Sequence, residues 1–390
     1  MKKTLLIQKD TYLQVECWTY YEMAIIQTLP DYMIWLSSHM DIFYYEAIGE
    51  GLYFGNRTKP FGPEYYRDIL DIEEINLYDV HPDAIIDRII DEINQEYYYI
   101  VFLRDDNNFS HEAFIYGYDL DHKSFSSIAI NESGKFEPTE ITFDDVIEGY
   151  AKEYKYYKDN CDQYYCRRSF GYIMSRMKPS LRYLTQNYAY DYFEKIYYEV
   201  YGTRTDLNDN NEINEFWSPR VYYTGISCLH KLCKNISEIN EESNADLFVI
   251  RKNLFKLLEH RQLISASMKW YESYWDITDP KLSSLSQKYS EACERMSNIC
   301  YAFMKFEIKR SDNLRTRITA LIEEQYKNEK EILGQYAILI RDWFCRCVLP
   351  FKFNAACNNS LGLGIFRQKD MEPSLKPKDI SGHSKSRTKG

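Results

Sequence analysis

The sequence predicts an α+β protein, and three observations predict it. The first 155 or so residues alternate short β-rich runs with helical spacing. The next two hundred carry long helical periodicities. The last two dozen hold few apolar side chains. Over 390 residues, 45% are apolar and 27% charged, the balance of a chain that folds around a core. No apolar run approaches the roughly 20 residues needed to cross a bilayer. Forty-eight basic against 59 acidic residues leave a net charge of −11. That argues against sequence-blind binding to phosphate backbones, so no nucleic-acid partner is expected.

Taken in order, the chain opens Met-Lys-Lys-Thr-Leu-Leu-Ile7, and the apolar stretch stops there. An export signal needs roughly 7 to 15 apolar residues and a small-residue cleavage site. Neither is present, so a cytoplasmic location without membrane attachment is expected, with the ten cysteines reduced. A helix is expected from Cys17 to about Leu29, with Trp18, Tyr21 and Ile25 facing inward and Pro30 stopping it. Leu52–Phe54, Tyr97–Leu103, Ala113–Tyr118 and Phe125–Ile130 read as strands. The last two are joined by a polar connection of hairpin length at Asp119–Lys123. Thr142 and Asp145 form a capping box that opens a helix ending near Lys155.

Beyond that point the chain reads as helical. Tyr289, Cys293, Met296, Cys300 and Phe303 make one buried helical stripe. Leu247, Ile250, Leu254, Leu257 and Leu258 make another, and Leu314, Ile318, Leu321, Leu333, Tyr336 and Ile340 extend the pattern. Asp206–Glu215 reads as a connecting loop. The expected division is a catalytic domain at 1–155, a helical domain at 156–350, and a C-terminal segment at 351–390. From about Arg367 that segment holds seven basic and three acidic residues and is expected to be disordered.

Cys17 is the residue that points to chemistry. At a helix N-terminus the unpaired amides and the helix dipole favour an anion, so a thiol there loses its proton below its free value of about 8.5. His111 precedes one strand of the hairpin and Asn131 follows the other, at equal distances from the turn. Such positions face each other across an antiparallel pair. An Asn131 carbonyl holding one imidazole nitrogen of His111, with the other facing Cys17, has the nucleophile–base–orienter logic of a Cys-His-Asn triad. Of the other histidines, His39 and His81 lie in loop-like stretches, His122 in the hairpin turn, and His230 and His260 in the helical part. Cys228, His230 and Cys233 have poor spacing for a metal on one helix, so no metal site is expected.

With those residues noted, the chain resembles the butirosin-biosynthesis H family, whose first domain is similar to a papain or C39-type cysteine peptidase. The resemblance rests on Glu16-Cys17 before a helix, Leu36-Ser37, Ala47–Phe54, Ser110–Asp119, Gly134–Phe136, the helix after Thr142, and Leu258-Glu-His-Arg261. It implies a papain-like fold with a helical domain behind it. It also implies an acyltransferase carrying an acyl or aminoacyl group from a carrier-protein thioester to an amine. Cys17 would be the nucleophile, His111 the base and Asn131 the orienter. No cofactor is implied beyond the phosphopantetheine of an acyl or peptidyl carrier protein. The chain departs from the family pattern at Glu16, where a His is usual, and at Asn131, where Asp is common. A glutamate beside the thiol opposes thiolate formation unless it points away. For the oxyanion, the Cys17 amide is one donor, and Gln14 is close enough in sequence to be considered as another.

The net acidity suits a cationic acceptor such as a diamine, polyamine or aminosugar. It does not suit an acidic carrier protein, so a local basic patch is expected, with Arg167, Arg168 and Arg176 as candidates. Two other readings use the same residues: a peptidase or amidase in which water captures the acyl-enzyme, and a binding protein that kept the fold without the chemistry.

Overall fold

The structure, a computed structural model, describes residues 1–39, 41–45, 51–55, 66–76, 79–130, 136–160, 173–185, 188–201, 222–239 and 244–347. The chain divides into a unit at Met1–Arg341 and a second at Asp342–Gly390, of which residues 342–347 are described.

The first unit is α+β. Its elements open with β1 (Lys2–Thr4), α1 (Cys17–Ile26), α2 (Met33–His39), β2 (Asp41–Tyr45), β3 (Gly51–Gly55), β4 (Leu70–Asn76) and α3 (Ile85–Asn94). They continue through β5 (Tyr98–Arg104), β6 (Ser110–Asp119), β7 (Ser124–Ile130), β8 (Phe136–Thr142) and α4 (Phe143–Asn160). Then come β9 (Ile173–Pro179), α5 (Ala189–Tyr201), β10 (Tyr222–Thr224), α6 (Ser227–Ser237), α7 (Asn244–Tyr274) and α8 (Pro280–Lys309). The last helix, α9, runs from Asp312 to Cys347. An open antiparallel sheet has the order β4-β9-β5-β6-β7-β8, with β1 paired to the far end of β6. A smaller antiparallel sheet has the order β10-β2-β3.

Both faces of the large sheet are covered. Tyr99, Val101, Ala113 and Ile115 pack with α3 and α4 on one side. Tyr98, Ile100, Phe114 and Tyr116 pack with α1, α2 and the later helices on the other. A strand buried on both faces loses its polar alternation. This is why Tyr98–Phe102 reads as one apolar run, and why β9 escapes detection. Its Met174 and Met177 are both fully buried, but on opposite faces of the sheet. Their spacing of three imitates a helix.

The stretch beyond 155 is therefore not all helix: β9 sits between β4 and β5, and β10 pairs with β2. The sequence also gives no warning of β1, β2, β4, β8, α2 and α3, and α4 runs past Lys155 to Asn160. The Thr142–Asp145 box is formed, each side chain bonding the other's backbone amide (3.1 and 3.4 Å). The stripes at 247–258, 289–303 and 314–340 lie on α7, α8 and α9. The connecting stretch 206–215 and the C-terminal segment from 348 lie outside the described residues.

Helix α1 is the centre of the unit. Tyr21, Met23, Ala24, Ile25 and Ile26 are all fully buried, because one side faces the sheet and the other the helical layer. A helix apolar on every side is stable only in such a position. The side chain of Trp18 lies outside the described residues. Among those described, no helix is long and apolar enough to cross a membrane.

One buried group makes the stability of this unit sensitive to acid. His39 ends α2, and its Nδ1 lies 2.9 Å from the Trp35 carbonyl while the ring stacks on Trp35. Burial pushes its pKa down to about 4, and Asp68 does not restore it. An unfolded chain binds that proton from about 6.5, so the folded form is stabilised above 6.5 and loses that stability as pH falls toward 4. Thermal melts between pH 7.5 and 4 should show a shallower acid slope in His39→Gln than in the parent chain. Equal slopes would show that His39 does not cause that acid sensitivity.

Candidate active site

The candidate site lies where the N-terminus of α1 meets the start of β6. Glu16 is the N-cap residue in extended conformation (φ −124°, ψ 135°), and its carbonyl accepts from the Thr19 and Tyr20 amides. Cys17 follows as the first helical residue, 4% exposed. One turn on, Tyr21 locks the helix to the sheet. Its hydroxyl donates to the Glu112 carbonyl (3.1 Å), and its ring stacks on Phe114 at 5.3 Å. Residues four apart share a helix face, so the bond that seats Tyr21 also seats Cys17 over the first residues of β6.

Three side chains converge there. The Cys17 thiol donates to Glu112 Oε2 at 3.6 Å. The His111 Nδ1 lies 3.0 Å from the same oxygen and 3.1 Å from the Glu112 carbonyl. Sulfur, a ring nitrogen and a carboxylate oxygen all fall within 4.8 Å of one another. A proton leaving sulfur thus has a carboxylate at hand, with an imidazole on that carboxylate's other side. The His111 ring is braced by Phe136 at 5.2 Å and Phe109 at 5.7 Å.

Cys17 and His111 are brought together; Asn131 lies outside the described residues. The last described pair of the hairpin, Phe114 with Ile128, has the register on which the Asn131 expectation rests, reached through a bulge between Ile115 and Gly117. Glu112, which sequence reasoning missed, lies between the sulfur and the imidazole, its Oε2 in contact with both. The signal for it was strand parity. Phe114 and Tyr116 face α1, and residues two apart share a face, so Glu112 faces α1 as well. His111 has the opposite parity and reaches the site from the strand's beginning, where its ring turns onto Phe136.

The remaining expectations resolve as follows. Gln14 turns its carboxamide back onto the Thr11 carbonyl (3.0 Å), which leaves it a local role and not an oxyanion one. Arg176 is not a docking cation, because Glu92 at 2.8 Å and Glu73 pair with it over the Tyr97 ring. Arg167 and Arg168 lie outside the described residues. His39 ends a helix instead of lying in a loop, and His81 caps the short turn at Pro82–Ala84. His122 is solvated beside Asp119, His230 is exposed on α6, and His260 is fully buried on α7.

Glu16 does point away from the thiol. Its buried carboxylate is paired with Lys256 and, at 3.3 Å, with Lys252, both on α7. The same face of α7 offers Glu259, whose two oxygens accept from the backbone amides of Gln14 (2.9 Å) and Val15 (3.3 Å). Asn253 accepts from the Leu52 amide at 2.9 Å, and Lys256 also donates to the Leu52 carbonyl. One face of α7 therefore clamps both the loop entering α1 and strand β3. Burial pushes Glu259 up to about 8 and Lys256 down to about 8. Because Glu259 takes the Gln14 and Val15 amides, an oxyanion would have to use the amides at the start of α1 itself.

A second carboxyl lies nearby. Glu22, five residues into α1, is buried, and its Oε2 has no hydrogen-bond partner among the described residues. Burial, reinforced by Glu112, pushes its pKa up to about 8. At neutral pH that carboxyl is therefore mostly protonated and uncharged.

Thiolate, imidazole and carboxylate are also zinc ligands, so Cys17, His111 and Glu112 are the residues that could hold such an ion. No known family model matches the chain, and no curated protein matches it.

Two outcomes test this geometry. Zinc ions, but not magnesium, should protect Cys17 from iodoacetamide, and the protection should fall at least tenfold in Glu112→Gln and His111→Ala. Equal protection in all three proteins would mean that the atoms do not converge. Lys256→Met should cost about 3 kcal/mol in denaturant unfolding, because a buried Glu16 carboxylate loses its nearer partner. Adding Glu16→Leu should recover most of that loss.

Proposed function

We propose that the protein is a Cys17-dependent acyltransferase of papain-like fold, forming an amide from a thioester and an amine. The observation that carries this reading is the convergence of the Cys17 sulfur, a His111 ring nitrogen and Glu112 Oε2 within 4.8 Å at a helix N-terminus. The antiparallel sheet packed on α1, and the resemblance to the butirosin-biosynthesis H family, support the same reading.

Proton transfer from sulfur toward Glu112 and His111 generates the thiolate. The thiolate attacks the thioester carbonyl; a new C–S bond forms, the old one breaks, and the departing phosphopantetheine thiolate takes a proton from His111. An amine then attacks the acyl-enzyme. His111 accepts its proton, the amide forms, and the Cys17 thiolate leaves. Exchange of one thioester for another is close to neutral in energy and aminolysis is downhill, so no nucleotide is required.

The test uses the N-acetylcysteamine thioester of a simple acyl group, followed by intact mass. The parent chain should gain one acyl group, and Cys17→Ala none. Addition of a diamine should release amide faster than free acid. His111→Ala should slow acylation by about 10²–10⁴-fold, the usual share of a general base. Free acid as the only product would favour the amidase reading. No acylation of a chain whose Cys17 still reacts with iodoacetamide would favour the binding protein.

A further inference from the structure

Outside the site, α8 and α9 part to leave a groove of about 380 Å³. Gln325 of α9 bonds the Ala292 carbonyl of α8 at 2.8 Å near its deep end. Between Arg295 and Lys305 the groove runs about 15 Å along α8, at 1.5 Å per residue, the length of three helical turns.

Its walls are basic. Arg295, Lys305 and Arg317 line it, all exposed, and none forms an ion pair with a described residue, whereas Glu324 is the only acidic side chain in the lining. Between the cations lie Tyr301, 60% exposed, and the half-buried Leu314 and Leu321. Met304 and Ile308 continue the apolar stripe along α8 (39% and 83% exposed). On a chain of net charge −11, three unpaired cations around an apolar floor are a local reversal of sign. Such a groove fits an amphipathic helix that presents carboxylates beside an apolar stripe.

We propose that this groove docks an acidic helix of the carrier protein that delivers the thioester, an inference that rests on the acyl-transfer reading above. Charge complementarity selects this occupant. The chain's own segment from 367 to 390 has seven basic and three acidic residues, so like charge disfavours it in the groove. A second copy docked face to face would set the same cations against one another. A nucleic acid would meet the three cations but presents no aliphatic stripe to cover Leu314 and Leu321. The groove supplies the basic patch that Arg176 does not.

The experiment measures binding of the full chain to a fluorescently labelled, phosphopantetheinylated acyl carrier protein of net negative charge, at two salt concentrations. Arg295→Glu/Arg317→Glu should weaken binding about tenfold or more and flatten its salt dependence, while Tyr301→Ala should weaken it with the salt dependence kept. In the charge variant, acylation by the N-acetylcysteamine thioester and the melting temperature should not change. Unchanged affinity in the charge variant, or no binding to the parent chain, overturns the docking proposal. So does a groove-dependent dimer, or preferential binding of a single-stranded RNA. Groove-dependent carrier binding with Cys17 acylated by neither thioester would instead sink the acyl-transfer reading and leave the docking surface standing.

Discussion

The Glu16–Lys256 ion pair, with the two amide bonds that Glu259 accepts from Gln14 and Val15, is the constraint on which the candidate site depends. Helix α1 has no side-chain cap of its own, because its N-cap residue sends its carboxylate to α7. The usual reward of a capping side chain, about 1 kcal/mol, is given up. In exchange, the entry to α1, where Cys17 sits, is fixed from a helix more than two hundred residues away. A buried ion pair adds little net stability over an apolar pair of the same shape, but losing one partner costs several kcal/mol. The arrangement therefore specifies position more than it stabilises. The acidic residue beside Cys17 is harmless to the thiol for the same reason: its charge is held by two lysines on the far side.

The sheet supplies the second half of the site. With both faces covered, β6 presents odd residues to α3 and α4 and even residues to α1, until the bulge after Ile115 reverses the parity and sends Tyr118 to the α3 side. Glu112 is thereby fixed below Cys17 by the same alternation that buries Phe114. His111, at the beginning of β6, is held instead by its ring contacts with Phe136 and Phe109.

Much of this was legible in the sequence. The start of α1 at Cys17, the capping box at Thr142 and the stripes of α7, α8 and α9 follow from local spacing, and the structure has them. Of the strands that were missed, β9 imitates a helix because Met174 and Met177 are spaced three apart, whereas β1, β4 and β8 are mostly exposed and carry too few buried apolar residues to mark a strand. Glu112 was missed because it sits next to His111, and neighbours on a strand are assumed to face apart. The α7 clamp was beyond reach for a different reason. Glu259 carries no sign in its own helix of what it binds; only the packing of α7 across α1 gives it the Gln14 and Val15 amides.

The position of Glu112 between sulfur and imidazole also sets how the thiol is held at rest. While the thiol keeps its proton, it donates to Oε2 at 3.6 Å and the carboxylate is satisfied. Once ionised, sulfur would face that carboxylate with a repulsion of about 5 kcal/mol at an effective dielectric of 20. Protonation of His111, 3.0 Å from the same oxygen, returns about the same amount, so these two interactions nearly cancel. What remains is the attraction between thiolate and imidazolium, which at up to 4.8 Å contributes about 3 kcal/mol or more. The proton must therefore reach the imidazole and not stop at the carboxylate, because only the imidazolium offsets the negative charge on both neighbours. For the thiolate to form, that thiolate–imidazolium attraction has to exceed both the cost of burying the ion pair and the gap between a free thiol and a free imidazole, about 3 kcal/mol.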